Sequence, residues 1–294
     1  MFTSIYAMSC QKLIEGKLMN KLPVIILVLC FAAAGAFAQA SNIVKTDVSA
    51  AEIDRIVKAF TTNETRFREA LREYVFSRSA TLQTIGMGGQ ITGTFRFDSA
   101  LTFDGEGKRV ERVVFAPVPT VPPLFITKED LEDLGGVQPF ALEPAAIPLY
   151  NFTFVGKEKI DELDLFVFDV APKVLPKPEK NARRLFTGRV WVDDKDLMIV
   201  KSKGKGIPEY KDNKFPVVET WRENIDGKYW FPSYASSDDE LVFDKGNTQK
   251  IKLRVRYNDY KLGRTDVKIV GEEEDVPDEK PALKPAATPA PKKP

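Results

Sequence analysis

The chain has 294 residues, with 43 Lys plus Arg against 42 Asp plus Glu, no histidine and 2 cysteines. A net charge of +1 leaves no bulk electrostatic footprint for nucleic acid. The absence of histidine excludes Ser-His-Asp catalysis and imidazole metal sites.

Lys21 precedes the apolar run Leu22 to Phe31, and Ala36-Phe37-Ala38 is a small-x-small cleavage site. Residues 1–38 are therefore read as a signal peptide, with Gln39 opening the mature chain. The run is shorter than the about 20 residues of a membrane-spanning helix, so no transmembrane span is expected after cleavage. Met19 is the expected start, because Met1 to Leu18 resembles no n-region. Cys10 and Cys30 both fall in the removed segment, and Leu29 is not the small residue that a lipidated Cys30 requires. The mature protein thus has no disulfide and no thiol chemistry, in the periplasm or outside the cell.

Ser49-Ala50-Ala51-Glu52 is a capping box. Ile53, Ile56, Val57 and Phe60 form one apolar helical stripe after it. Asn63 reads as a second cap, ahead of Phe67, Ala70 and Leu71, and the helix ends near Glu73. The period then changes to two. Tyr74, Phe76, Ala80 and Leu82 share a strand face, Gly86 to Gly89 turn, and Ile91, Phe95 and Phe97 return. Asp104-Gly105-Glu106-Gly107 leads into Val110 to Phe115. Prolines 117, 119, 122 and 123 break the sheet, and Thr127 to Gly136 reads as a short helix.

The second half reads as hairpins. Tyr150 to Val155 turns through Gly156 to Asp161 into Leu165 to Val170, and a Pro/Lys-rich loop follows. Leu185 to Val192 turns at Asp193-Asp194 into Leu197 to Val200. Val217 to Trp221 turns at Asp226-Gly227, a hairpin dipeptide, into Tyr229 to Phe231. Leu241 to Phe243 turns at Lys245-Gly246-Asn247 into Lys250 to Tyr257. On the last strand Ile251, Leu253, Val255 and Tyr257 alternate with Lys250, Lys252, Arg254 and Arg256. From Gly271 the chain is acidic and then rich in Pro, Lys and Ala, without apolar periodicity, so residues 271–294 read as a disordered tail.

These elements predict a mainly β protein with some α: a curved antiparallel meander sheet, a half-open barrel, covered by the N-terminal helix. Residues 39–270 are expected to form one domain, and a closed barrel is the structural alternative.

No catalytic constellation is evident. Gly86-Met87-Gly88-Gly89 lacks the Lys-Ser/Thr of a phosphate loop. Asp193-Asp194 and Asp238-Asp239-Glu240 read as turn formers rather than acid pairs, and no calcium-loop spacing surrounds them. Lys201, Lys203 and Lys205, with the basic face of the last strand, offer a surface for anionic lipid or glycan, or else a solvated, edge-protecting face. Trp191, Trp221 and Trp230 are either groove or core.

Two stretches carry a resemblance. Gly188 to Val200 holds a strand ending in Val192-Asp193 with the next strand directly after it, and Asp226-Gly227-Lys228-Tyr229-Trp230-Phe231-Pro232 is a later hairpin. Together, over Tyr150 to Tyr260, they resemble the periplasmic outer-membrane lipoprotein sorting and carrier proteins. The resemblance implies a curved sheet plugged by helices, sheltering acyl chains without catalysis. No position here is matched to that family's functional arginine, and the proline-rich tail departs from its pattern.

The expectation is thus a non-enzymatic exported bacterial envelope protein that binds a lipid or other apolar group on the concave face. Ile53, Val57, Phe60, Phe95, Phe97, Phe166, Phe168, Trp191, Trp221 and Trp230 are the candidate ligand-binding residues. The expected partners are a lipid or lipoprotein, or other envelope proteins, with no cofactor and no metal. A non-catalytic interaction module with a packed core is the alternative.

Overall fold

The computed structural model describes residues 42–121, 142–179, 182–211, 213–244 and 246–263. The expected signal peptide with Cys10 and Cys30, the expected short helix at Thr127 to Gly136 and the expected tail from Gly271 lie outside the described residues.

Among the described residues, one α-helix, α1 (Ala50–Glu73), precedes ten strands. These are β1 (Tyr74–Ile85), β2 (Ile91–Phe103), β3 (Arg109–Phe115), β4 (Tyr150–Ile160), β5 (Leu163–Pro172), β6 (Leu185–Asp193), β7 (Ile199–Ile207), β8 (Val218–Ile225), β9 (Tyr229–Val242) and β10 (Thr248–Leu262). A short 3-10 helix, Pro144–Leu149, leads into β4.

The strands form one antiparallel sheet in the order β3-β2-β1-β10-β9-β8-β7-β6-β5-β4. From β4 to β10 each strand pairs with its successor, as a meander does. β10 then lies against β1, with Arg78 opposite Tyr257 and Leu82 opposite Leu253. That pairing joins the two ends of the described chain into one ladder. β3 and β4 are the two edges, so the sheet is an open half-barrel and not a closed one. Val44 and Lys157 exchange backbone hydrogen bonds of 2.7 and 2.9 Å, which places the N-terminal segment along the β4 edge.

α1 lies against the inner face because its stripe is apolar at helical spacing. Ile56, Val57, Phe60, Glu64, Phe67 and Leu71 are buried, three and four residues apart apart from one adjacent pair. Ser49 caps the helix, its Oγ accepting from the Glu52 N–H at 3.2 Å. The Glu52 carboxylate turns instead to Arg55, at 2.6 and 2.7 Å. Within α1, packing against the sheet supplies most of the stability that a helix in water lacks.

Three local expectations change. Asn63 starts no second helix: α1 runs through it unbroken, and its Nδ2 donates to the carbonyls of Asp196 and Leu197 at 3.0 Å each. The charged run from Gly156 is not a turn. It continues β4 to Ile160, with a bulge before Gly156, and the chain reverses at Asp161 (φ 51°). At Gly156 a Cβ would stand 2.5 Å from the Val44 carbonyl oxygen, so glycine is what lets the N-terminal segment approach that edge. Finally, Asp238, Asp239 and Glu240 lie within β9, which runs unbroken from Tyr229 to Val242. Two of the three carboxylates are met there: Asp238 pairs with Arg254, and Asp239 Oδ2 accepts from the Val217 N–H at 2.8 Å.

Candidate functional site

The inner face carries two apolar clusters, one on each side of a buried ion pair. In the first, Ile56, Val57 and Phe60 of α1 meet Phe166, Phe168, Val170, Val190 and Val192, with Ile53, Phe152 and Phe154 packed at its margin. The Phe60 ring lies 5.7 Å from Phe152, edge to face, and 5.8 Å from Phe168. In the second, Phe67, Ala70 and Leu71 meet Tyr74, Phe76, Phe231, Val255 and Tyr257. Phe231 is stacked on Tyr229 at 5.6 Å and stands edge-on to Tyr74 at 4.8 Å. The Tyr74 hydroxyl donates to Asp226 Oδ2 at 2.8 Å. Burial, then this carboxylate, pushes the Tyr74 phenol up to about 12.

Between the clusters Arg222 of β8 reaches Glu64 of α1 through two hydrogen bonds of 2.7 and 2.9 Å, and it donates to the Ile199 carbonyl at 3.0 Å. Both side chains are 1% exposed, and the guanidinium carbon sits 4.3 Å from the Phe67 ring centre. From there on, polar bonds multiply along the helix. Arg68 pairs with Glu143, and Arg109 Nη1 donates to the Leu71 carbonyl at 2.7 Å. A cation at a helix C-terminus is favourable, since the last carbonyls lack helical partners. Among the described residues, no polar bond joins residues 50–62 to the sheet: Glu52 bonds Arg55, while the Thr61 and Thr62 hydroxyls bond back to helix carbonyls. Asn63 is the first helix residue with a polar bond beyond the helix, to the turn between β6 and β7. The N-terminal half of α1 is held to the sheet by apolar contact, the C-terminal half by apolar contact and polar bonds together.

The candidate residues fall in three places. Ile53, Val57, Phe60, Phe166 and Phe168 come together in the first cluster. Phe95 and Phe97 stand further along the same inner face, opposite Leu82 and Ala80, with their rings 6.4 Å apart. Trp191 stands elsewhere: with Leu165, Val167 and Val200 it packs a small cluster on the outer face, because β5 is apolar on both sides. Trp221 joins it there through Lys201, whose ammonium lies 4.7 Å from the Trp191 ring and 4.1 Å from the Trp221 ring. Trp191 Nε1 donates to Glu158 at 2.6 Å. Strand alternation, which sends Val190 and Val192 inward, sends Trp191 outward, so Trp191 and Trp221 do not line the concave face. Trp230 is half-buried between clusters, its Nε1 donating to Asp196 at 2.7 Å.

Four basic residues of the outer face are paired. Lys201 and Lys203 approach Glu219 at 3.3 and 3.6 Å, Lys205 approaches Glu209 at 2.9 Å, and Arg254 meets Asp238. Asp193, buried at the β6 end, has its carboxyl pushed up by desolvation, while its Oδ2 accepts from the Lys195 and Asp196 N–H groups. It is the last residue of β6, and its carboxylate caps the turn that Asp194 opens toward β7. Among the described residues, no group of three or more metal-ligating side chains occurs, and no helix is long and apolar enough to cross a membrane.

Sequence reasoning missed the polar residues of the inner face. Glu64 lies on the apolar stripe of α1, three to four residues from Phe60 and Phe67. Arg78 alternates with Phe76 and Ala80 on β1. In both cases the period was the available signal, and residue type obscured it.

No family model matches the sequence, and no curated protein matches it. Solved structures do resemble it. One is a LolA superfamily protein from Nitrosomonas europaea, 12% identical over 74% of this chain and 94% of that one, with a TM-score of 0.31. A DUF1329 family protein from Desulfovibrio piger is 14% identical over 72% and 94%, with a TM-score of 0.32. A third is the Pseudomonas aeruginosa MucA/MucB complex, 11% identical over 67% and 94%, with a TM-score of 0.23.

Proposed function

We propose that this is a non-catalytic protein of the bacterial envelope that shelters an acyl chain or similar apolar group between its sheet and the N-terminal half of α1. One observation carries the reading. Residues 50–62 meet the sheet through apolar side chains, with no polar bond to it among the described residues, while Asn63 and Glu64 onward are fastened. Apolar contact is non-directional, so an acyl chain can replace the helix against Phe152, Phe166 and Phe168 without leaving a polar group unpaired. Burial is worth about 0.8 kcal/mol per methylene, so a long chain can compete for that surface. The export signal supports the compartment.

The test is mass spectrometry of the mature protein purified from a bacterial envelope, joined to titration with oleyl alcohol. An acyl-bearing molecule in the purified protein, or micromolar binding of the alcohol, is the expected result. Protein that carries nothing and binds no long-chain alcohol would overturn the reading.

A second reading is favoured by β3. Val113, Val114 and Phe115 are 58%, 70% and 49% exposed on an edge strand, an apolar surface of the kind that partners cover. Under that reading Val114→Lys abolishes association with an envelope protein and leaves oleyl alcohol binding unchanged. Loss of neither discards it.

A further inference from the structure

Arg78 is out of place on the inner face. It alternates along β1 with Tyr74, Phe76 and Ala80, all buried against α1 or the second cluster, and its side chain is 1% exposed. One nitrogen is matched: Nη2 donates to Glu111 of β3 at 2.5 Å. Nε and Nη1 have no hydrogen-bond partner, although the guanidinium carbon lies 5.6 Å from the Phe97 ring centre. Directly across β2 stands Ser99, 1% exposed, whose Oγ also has no partner. Directly across β10 stands Tyr257, buried, its phenol held protonated by that burial. A row of hydrogen-bond donors therefore crosses three strands, Ser99, Arg78 and Tyr257. The next row along the same face is apolar, Phe97, Ala80 and Val255, and the row after it is Phe95, Leu82 and Leu253.

Buried donors left unmatched cost stability, and a guanidinium most of all. Glu111 does not remove that cost, because it engages a single nitrogen from an edge strand and is itself one-third exposed. Two guanidinium nitrogens without a hydrogen-bond acceptor, with a hydroxyl beside them, suit an oxyanion, which accepts several charge-assisted hydrogen bonds at once. Apolar rows beginning one register step away suit the chain that such a head carries.

We propose that Arg78, with Ser99 and Tyr257, binds the oxyanion head, a carboxylate or phosphodiester, of a long-chain lipid whose tail lies on the inner face. This rests on the sheltering role above and gives it a ligand class: an anionic amphiphile is preferred over a neutral one of equal length.

The experiment compares oleate with oleyl alcohol, which share a chain and differ in the head. Acetate and inorganic phosphate serve as heads without a chain. The mature protein, Arg78→Gln and Ser99→Ala are titrated after thermal melts confirm folding. The expected result is oleate bound about tenfold or more tightly than the alcohol, with the chainless anions not competing at millimolar concentration. Arg78→Gln should erase the preference by weakening oleate, and Ser99→Ala should reduce it by about twofold or more. Equal affinity for oleate and oleyl alcohol in the unmodified protein overturns the assignment of Arg78 and leaves the sheltering role standing. Binding of neither overturns both. Phosphate or acetate competing at micromolar concentration overturns the chain-borne head in favour of a free-anion site. If Arg78→Gln fails to fold, Ser99→Ala decides: an oleate preference as large as that of the parent protein overturns the proposal.

Discussion

Glu64 and Arg222 face each other from helix and sheet, joined by parallel hydrogen bonds of 2.7 and 2.9 Å where almost no solvent reaches. The pair divides α1 into an apolar arm and a fastened arm. A buried ion pair adds little net stability compared with well-packed apolar side chains, because both charges are stripped of water. What it fixes is position. Arg222 is also held by the Ile199 carbonyl and the Phe67 ring, so α1 has one preferred register on the sheet.

Removing one partner should therefore cost far more than removing both. Glu64→Gln leaves the guanidinium buried without a counter-charge and is expected to lower stability by about 3–5 kcal/mol. Glu64→Leu combined with Arg222→Met should recover most of that. Urea unfolding of the three proteins decides it. A single variant costing no more than the double one would show that the pair does not position the helix.

Hydrogen exchange should separate the two arms. Amides of Ile56 to Phe60 are expected to exchange about tenfold or more faster than those of Phe67 to Leu71, since only apolar contact holds the first arm to the sheet. Uniform protection along α1 would mean that the helix opens as one unit, and the first arm would not be free to yield to a ligand.

The fold was largely legible because its signals are periodic. The α1 stripe, the alternation of β10 and the Asp226-Gly227 turn each state a local geometry, and the meander follows from them. Two kinds of feature were not legible. The pairing of β1 with β10 joins residues far apart in the chain, and no local pattern marks it. Two acidic clusters were read as turns, yet Asp238 and Asp239 lie within β9, where Arg254 and the Val217 N–H satisfy them. The site was half legible. Phe60, Phe166 and Phe168 meet as their periods imply, whereas Trp191 faces outward, because β5 and β6 bury apolar side chains on both faces.

On that outer face, Lys201 joins two tryptophans and Glu219. Its side chain is 13% exposed, so the charge is better felt than at an open surface. Lys201→Met keeps the aliphatic packing and removes the charge. It is expected to cost about 1–2 kcal/mol, with Lys201→Arg costing less. A cost near zero for Lys201→Met in urea unfolding would assign the contact to packing alone.

Gly204 tests how tightly β6 and β7 approach. A Cβ there would lie 2.4 Å from the Thr187 carbonyl oxygen and 2.5 Å from the Phe186 ring. The backbone oxygen cannot move aside without disturbing the ladder. Gly204→Ala is expected to lose about 1–3 kcal/mol. Gly105→Ala, where nothing lies within 4 Å, serves as the control and should change stability by about 0.5 kcal/mol or less. Equal stability of the two variants would mean that the strands have room the geometry denies.

Tyr257 predicts an alkaline limit. Burial pushes its phenol up to about 12, partly opposed by the nearby Arg78 charge. In the unfolded chain the same phenol loses its proton near 10. Between these values the folded protein binds more protons than the unfolded one, so stability falls as pH rises. Below pH 10 this contribution is fully present, and it is lost progressively toward about 12. Urea midpoints measured across that window should drop, and the drop should shrink in Tyr257→Phe. Tyrosinate absorbance offers an independent check, because Tyr257 should be among the last phenols to ionise while the protein stays folded. A phenol at this position titrating near 10 in the native protein would show that the inner face is open to water there.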